Sequence, residues 1–118
     1  MNQEIKAEWV AALRSGEFKQ SSFRLHKVSA LGEHTYCVMG VLAEIALRHG
    51  VVKTTTKSFP MDDGSYTVAY DDFYVYLPAH VLEWAELVTS IRGIQLSALN
   101  DDLELPFSVL ADLIAKHL

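Results

Sequence analysis

The sequence of 118 residues predicts an α+β domain, in which a buried central helix packs on a small antiparallel sheet of two to four strands. A run that is apolar on every side, at 36–43, is typical of a buried helix. Branched and alternating aromatic residues between 51 and 76 are typical of strands. Apolar side chains recur at helical spacing in three further segments, which predicts three amphipathic helices around this centre. No repeat or linker divides the chain, so we expect a single domain over 1–118.

The three amphipathic helices are expected at about 3–14, 78–89 and 106–118. Asn2 is a good N-cap for the first helix, and Ser15-Gly16 is a good stop. Pro78 suits the first turn of the second helix, which Arg92-Gly93 should break. The third helix has the most regular spacing of apolar residues.

The central helix is expected at about 35–49, where Gly50 supplies a stop. Gly40 costs about 1 kcal/mol relative to alanine inside a helix, which indicates that another backbone passes close to it. Glu44 and Arg48 have the spacing of an ion pair along the helix.

Strands are expected on both sides of a turn at 60–64. The branched segment 51–57 precedes this turn, and the alternating segment 65–70 follows it. Asp71-Asp72 should turn the chain again before a further strand at 73–76. Segment 17–29 is mixed and predicts a short strand or an extended arm, and 96–99 fits either a helix or a strand. Residues 100–102 are expected to form a loop.

Composition excludes some functional classes and selects none. Half of the residues are hydrophobic and the formal net charge is −5, which argues against broad binding to nucleic acid or anionic membranes. The longest apolar run is too short to span a bilayer, and the first residues lack the pattern of a secretion signal. The single cysteine, Cys37, can form neither an internal disulfide nor a cysteine metal knuckle. We therefore expect a cytoplasmic protein without a cofactor or metal.

Cys37 is the sharpest chemical feature of the sequence. It is expected in the first turn of the central helix, where the helix dipole favours a thiolate. His80 and Asn100 follow it in the Cys, His, Asn order of papain-like enzymes, with His80 as base and Asn100 as the residue that orients it. This pattern allows a cysteine-dependent hydrolase or transferase, but the order alone is weak, and a buried structural cysteine is the simpler interpretation.

Two segments are candidate binding surfaces. Basic residues alternate with aromatic ones between 18 and 27, a pattern that could contact phosphates and stack bases of RNA or single-stranded DNA. Its basic residues are Lys19, Arg24, His26 and Lys27. On an acidic domain the same pattern is more often a solvated strand edge. The second surface consists of the tyrosines of the strands, because tyrosine is enriched at protein interfaces. These are Tyr66, Tyr70, Tyr74 and Tyr76.

A cation site at Asn100-Asp101-Asp102 is the weaker interpretation of that cluster. The three residues lack the alternating spacing of a calcium loop, and asparagine and aspartate form turns and caps without a metal.

Several segments together resemble a family of small phage and prophage proteins. The resemblance rests on the following motifs of this chain: Trp9-x-x-Ala12-Leu13-Arg14-Ser15-Gly16-x-Phe18-Lys19-Gln20, Tyr36-Cys37-x-x-Gly40-Val41-Leu42, Leu77-Pro78-x-x-Val81-x-x-Trp84, and Leu99-Asn100-Asp101. Val38 and Met39 stand where that family usually has a second cysteine and a leucine, so a two-cysteine role is unavailable here. The resemblance implies a phage context and no mechanism.

The prediction is a non-enzymatic accessory protein that binds a host or phage protein. No complete catalytic set of residues is present in the sequence, which favours a binding module over an enzyme. Nucleic acid and membrane are disfavoured as partners. The sequence leaves the oligomeric state open, and a homodimer is compatible with it.

Overall fold

The computed structural model describes residues 1–55 and 61–118 and confirms the α+β class. Its described helices are α1 (Gln3–Arg14), α2 (Val38–Arg48), α3 (Ala79–Ala85), α4 (Leu96–Asp101) and α5 (Phe107–His117). Its described strands are β1 (His26–Val28), β2 (His34–Tyr36), β3 (Thr54–Thr55), β4 (Tyr66–Thr67), β5 (Ala69–Tyr70), β6 (Ser90–Ile91) and β7 (Ile94–Gln95). None of these described helices is both long enough and apolar enough to cross a membrane.

The strands form three small antiparallel sheets. β1 lies between β2 and β4 in the largest, with Lys27 opposite both Thr35 and Thr67. β3 pairs with β5, and β6 pairs with β7. The chain therefore leaves one sheet and enters another between Thr67 and Ala69, within a single extended stretch.

Helix α1 follows the prediction closely. The Asn2 side chain accepts hydrogen bonds from the backbone N–H groups of Glu4 and Ile5, as an N-cap should. Gly16 follows the helix with φ +76°, which glycine adopts without strain. Trp9 is fully buried, and its indole N–H donates to the carbonyl of Val38 at 3.1 Å, so it ties α1 to the start of α2. On its other side α1 packs against α5.

Helix α2 is the buried centre, and Gly40 shows why it packs so closely on the sheet. A Cβ at Gly40 would lie 1.7 Å from the carbonyl oxygen of Leu25, so the predicted close approach of a second backbone is confirmed. The helix begins later than predicted, because Thr35 and Tyr36 pair with β1 as part of β2. Cys37 is consequently the N-cap and not a residue of the first turn.

Other boundaries also differ from the prediction. Helix α3 ends at Ala85, because Glu86 adopts a left-handed conformation with φ +52° and closes the C-terminus. Arg92-Gly93 instead forms the turn between β6 and β7. Segment 73–76 contributes only an isolated bridge, from Phe73 to Tyr70.

Segment 96–99 is helical, and α4 extends it through Asn100 and Asp101, so the loop predicted at 100–102 is wrong for these two residues. Arg48 pairs with Glu17 at 2.5 Å and not with Glu44, which accepts a hydrogen bond from Tyr70. Of the strand predicted at 51–57, Thr54–Thr55 is observed. Residues 56 and 57 of that strand, and residue 60 of the predicted turn, lie outside the described residues.

Candidate functional site

An open groove of about 810 Å³ lies on the face of the three-stranded sheet that points away from α2. Its floor is the row Thr35, Lys27 and Thr67, which the strand register places side by side on β2, β1 and β4. Successive residues of a strand point to opposite faces, so Lys27 faces the groove while His26 faces the core. The groove joins the two surfaces that the sequence predicted separately, because Arg24 lines it together with Tyr66 and Tyr74.

Phe23 stands at one end of the groove in an unfavourable backbone conformation. Its φ is +71°, a region that costs a residue with a side chain about 1 kcal/mol or more. The Asp101 carboxylate holds this conformation, since its Oδ1 accepts a hydrogen bond from the Phe23 N–H at 3.1 Å. The ring that results is 58% exposed. Strain of this kind is concentrated at functional sites, and here it keeps a large apolar ring in solvent.

The charges of the groove are unevenly distributed. Arg24 lies over the Tyr74 ring at 5.8 Å, next to Phe23, and Lys27 is in the middle of the floor. Within residues 1–55 and 61–118, neither cation has a carboxylate partner within 4 Å. Glu33 and Asp63 lie towards the other end, near the β1–β2 turn. Asp63 accepts two hydrogen bonds from Ser65, which lower the pKa of this carboxyl group.

The four predicted interface tyrosines separate into different environments. Tyr66 and Tyr74 line the groove. Tyr76 is 74% exposed beside a smaller cavity of about 370 Å³, which Leu77 and Leu82 also line. Tyr70 is fully buried, so its prediction as an interface residue is corrected. The chain changes sheets after Thr67, which ends the simple alternation that predicted Tyr66 and Tyr70 on one face.

The predicted basic segment also divides. Lys19 forms an exposed ion pair with Glu33 and does not line the groove. Phe18 and His26 are buried in the core, so they cannot stack on a base. Only Phe23, Arg24 and Lys27 of this segment reach the groove.

A chain of polar groups lies on the opposite face of β1, with His26 and Tyr70 buried, Glu44 half-buried and His34 exposed. His34 Nδ1 is 2.7 Å from His26 Nε2, and His26 Nδ1 is 3.0 Å from the Tyr70 hydroxyl. That hydroxyl donates to Glu44 Oε2 on α2 at 2.7 Å. The chain therefore links β2, β1, β5 and α2.

The hydrogen-bond inventory assigns the protons in this chain. An ionised carboxylate only accepts, so the single proton of Tyr70 points to Glu44, and the Tyr70 oxygen accepts from His26 Nδ1–H. A neutral imidazole has one N–H, so His26 Nε2 accepts from His34 Nδ1–H. Both ring nitrogens of His26 and the Tyr70 hydroxyl, which are the buried polar atoms of the chain, then have partners.

Burial determines the electrostatics of this chain. Desolvation, followed by the charge of His34, lowers the pKa of His26 from 6.5 to about 4, so this ring is neutral at pH 7. Desolvation raises the pKa of Tyr70, and the hydrogen bond to Glu44 raises it further. Desolvation also raises the pKa of Tyr36, whose ring stacks on His26 at 4.2 Å, to about 12.

The three residues of the candidate cysteine site take part in separate hydrogen bonds. Cys37 is buried, and its Sγ accepts a hydrogen bond from the Gly40 N–H at 3.4 Å. Desolvation raises the pKa of the Cys37 thiol to about 11, which outweighs the helix terminus that was expected to favour a thiolate. His80 contacts the Val51 carbonyl and the Asp71 carboxylate and has no hydrogen bond to Cys37.

Asn100 has a structural position. Its Oδ1 accepts from the Val38 N–H at 3.1 Å and so satisfies the N-terminus of α2. Its Nδ2 donates to the Ser21 carbonyl and to Asp101. Asp101 in turn holds Phe23, so this cluster supports the end of the groove. Within the described residues no three His, Cys, Asp or Glu side chains are grouped so that they could hold a metal ion.

One family model matches the chain over residues 1–118, and its description is a domain of unknown function (DUF8296). The chain belongs to this family. The search of curated proteins and the search of solved structures give no match. Both the groove and the polar chain lie within the range that the DUF8296 model matches.

Sequence reasoning missed the polar chain and part of the groove. The only signal in the sequence for the polar chain was the alternation along β1, which places His26 on the opposite face from Lys27. His34 and Glu44 gave no signal, because their roles depend on contacts between separate elements. Met61, which is 59% exposed in the groove, was assigned only to a turn.

Proposed function

We propose that this chain is a non-enzymatic protein-binding module, whose groove holds a segment of a partner protein. The exposed Phe23 ring carries the proposal. Its backbone is strained, the half-buried Asp101 holds it in place, and its ring is 58% exposed instead of packing in the core. Aromatic anchors beside a polar rim are typical of interfaces between proteins.

The groove supports a protein partner over a nucleic acid. Besides its two cations, the groove is lined by the carboxylates of Glu33 and Asp63, so it is not positive along its length, and the whole chain has a net charge of −5. Non-specific binding of single strands needs a groove that is strongly positive along its length. The aromatic residues of the groove could contact either the apolar side chains of a protein or the bases of a nucleic acid. The charge of the groove is therefore the feature that favours a protein partner.

The resemblance to small phage and prophage proteins supports a host or phage protein as the partner. A lone reduced cysteine, such as the buried Cys37, is ordinary in the cytoplasm, where we propose that the protein acts.

The test is a selection from a library of random 12-residue peptides displayed on their own mRNA. We expect the wild-type protein to enrich a family of related peptides, and the Phe23→Ala variant to enrich none of them. Tyr76→Ala is the matched control, since it removes an exposed ring outside the groove and should enrich the same family. Failure of the wild-type protein to enrich any family would contradict the proposal.

A fluorescent 12-residue oligo(dT) and an oligo(U) of the same length complete the test. We expect neither to bind at low salt. Binding that weakens steeply with salt and disappears in Arg24→Ala would instead indicate a nucleic-acid groove.

A further inference from the structure

We infer that the segment held in the groove is extended and acidic at the end that contacts Phe23, where its carboxylates meet Arg24 and Lys27. This inference rests on the proposed function and adds the chemistry and the direction of the partner. It follows from the contacts of the two cations, the position of the acidic residues and the shape of the groove.

The two cations are available for a partner. Arg24 lies on the Tyr74 ring and donates to the Phe23 carbonyl, which fixes its guanidinium near the exposed ring without using a carboxylate. Lys27 is half-buried on the floor, and no carboxylate of the described residues lies within 4 Å of it. A cation partly removed from water beside an apolar wall gains most from an acidic partner.

Lys19, which does not line the groove, shows the contrast. Lys19 already pairs with Glu33, so its charge is used within the domain. The lysine outside the groove therefore has a carboxylate partner within the domain, whereas the two cations inside the groove have none among the described residues.

The opposite end of the groove has the opposite charge. The turn at 61–65 lies against the β1–β2 turn, since a Cβ at Gly64 would be 3.3 Å from the Ala30 Cβ. Asp63 is in this turn and, within the described residues, has no cation within 4 Å, whereas Glu33 beside it is already paired with Lys19. An acidic partner side chain placed at this end would be repelled, so the charges favour one direction of the segment.

The shape of the groove favours an extended segment. The lining follows β1 and its flanking residues from Phe23 to Ser29, and extended chain rises about 3.3 Å per residue, so a segment of about six residues would cover it. Phe23 and Met61 offer apolar contacts at separate positions, which suits apolar residues interspersed with the acidic ones.

The experiment measures fluorescence anisotropy with the strongest peptide from the selection and two altered forms of it. In one form every Asp and Glu becomes Asn and Gln, and in the other each becomes Lys. We expect the neutral form to bind about five- to tenfold more weakly than the parent. The Lys27→Glu variant should bind the parent peptide at least about five- to tenfold more weakly than the wild type does. It should bind the lysine form of the peptide more tightly than the wild type does.

Lys53→Glu is the matched control, because it makes the same change of charge at an exposed position that does not line the groove. We expect it to bind the parent peptide within twofold of the wild type. Equal loss in both variants would reduce the effect to net charge and overturn the inference.

The remaining outcomes separate this inference from the proposed function. Enriched peptides whose binding ignores both the charge of the peptide and Lys27→Glu would overturn the inference and leave the binding module intact. No enriched family, or binding of the oligonucleotides only, would overturn both. Sedimentation showing a dimer that Phe23→Ala dissociates would mean that a second copy covers the groove, and it would likewise overturn the inference.

Discussion

The polar side chains on the two faces of β1 differ in whether they have partners within the domain, although the strand has only three residues. On the face towards α2, His26 is 6% exposed, and both of its ring nitrogens and the Tyr70 hydroxyl have partners in the chain from His34 to Glu44. On the face towards the groove, Lys27 has no carboxylate partner within the described part of the protein, and Phe23 at the groove end is strained and exposed. One face is completed by the fold, whereas the other has contacts that a partner would complete.

This contrast shows how a small domain can combine stability with a binding surface. The face towards α2 contains a close backbone contact, where the carbonyl of Leu25 meets Gly40. The groove face contains the residues whose properties do not serve the core. Substitutions on the two faces should therefore separate stability from binding.

The largest effect is expected at the contact between α2 and the sheet. Gly40→Ala places a Cβ within 1.7 Å of the Leu25 carbonyl oxygen, so the helix or the strand must move. We expect the free energy of unfolding to fall by at least about 3 kcal/mol, as denaturant titration would measure. Gly16→Ala is the control, since open space surrounds Gly16 and its φ of +76° alone should cost about 1 kcal/mol. Equal losses at the two glycines would contradict the close packing.

The next effect tests the polar chain. Tyr70→Phe removes the hydroxyl that joins His26 to Glu44 and leaves both groups without that partner. We expect a loss of about 2 kcal/mol in the free energy of unfolding. Tyr76→Phe removes the same atom from a ring that is 74% exposed and should change stability by less than about 0.5 kcal/mol. A Tyr70→Phe protein as stable as the wild type would show that the chain contributes nothing.

A dependence on pH follows from the same chain. The pKa of His26 is about 4 in the folded state and 6.5 as its ordinary value, so below pH 6.5 the unfolded chain binds a proton that the folded chain does not. The stabilisation that comes from keeping His26 neutral is therefore fully present above pH 6.5 and is lost as the pH falls towards 4, by about 3 kcal/mol. Denaturant titrations at several pH values would measure it.

Substitution identifies the group responsible for this dependence. His26→Gln should flatten the decline between pH 6.5 and 4, whatever its effect on stability at pH 7. His117→Gln, in the last turn of α5, should keep the wild-type slope. If the two variants decline with the same slope, another group is responsible.

The sequence predicted the helices better than the contacts between elements. The first and last helices follow from local signals, namely the Asn2 cap and the regular spacing after Phe107, and both are confirmed. The close approach at Gly40 was also predictable, since the cost of a glycine in a helix needs a compensating reason.

The remaining features depend on the tertiary structure. The residues around Tyr36 do not indicate whether it ends a strand or begins the apolar helix. Its pairing with β1 places it in a strand. Tyr70 continues an alternating pattern, yet the change of sheet after Thr67 turns it into the core. Phe23 gave no sign of a positive φ, because Asp101, which holds it, is distant in the chain.

The smallest change in stability is expected at Phe23, and it is the most direct test of the account. Glycine accepts a φ of +71° without strain, so Phe23→Gly should leave the free energy of unfolding unchanged or raise it by up to about 1 kcal/mol. Phe73→Gly is the matched control, because Phe73 is also partly exposed but has no positive φ, and it should lose about 1 kcal/mol.

The deciding measurement records unfolding and peptide binding of Phe23→Gly in the same preparation. The account predicts a protein at least as stable as the wild type that no longer binds the peptides selected by the wild-type groove. A Phe23→Gly protein that is clearly less stable, or one that binds those peptides as the wild type does, would contradict the claim that the strained ring at this position serves a partner.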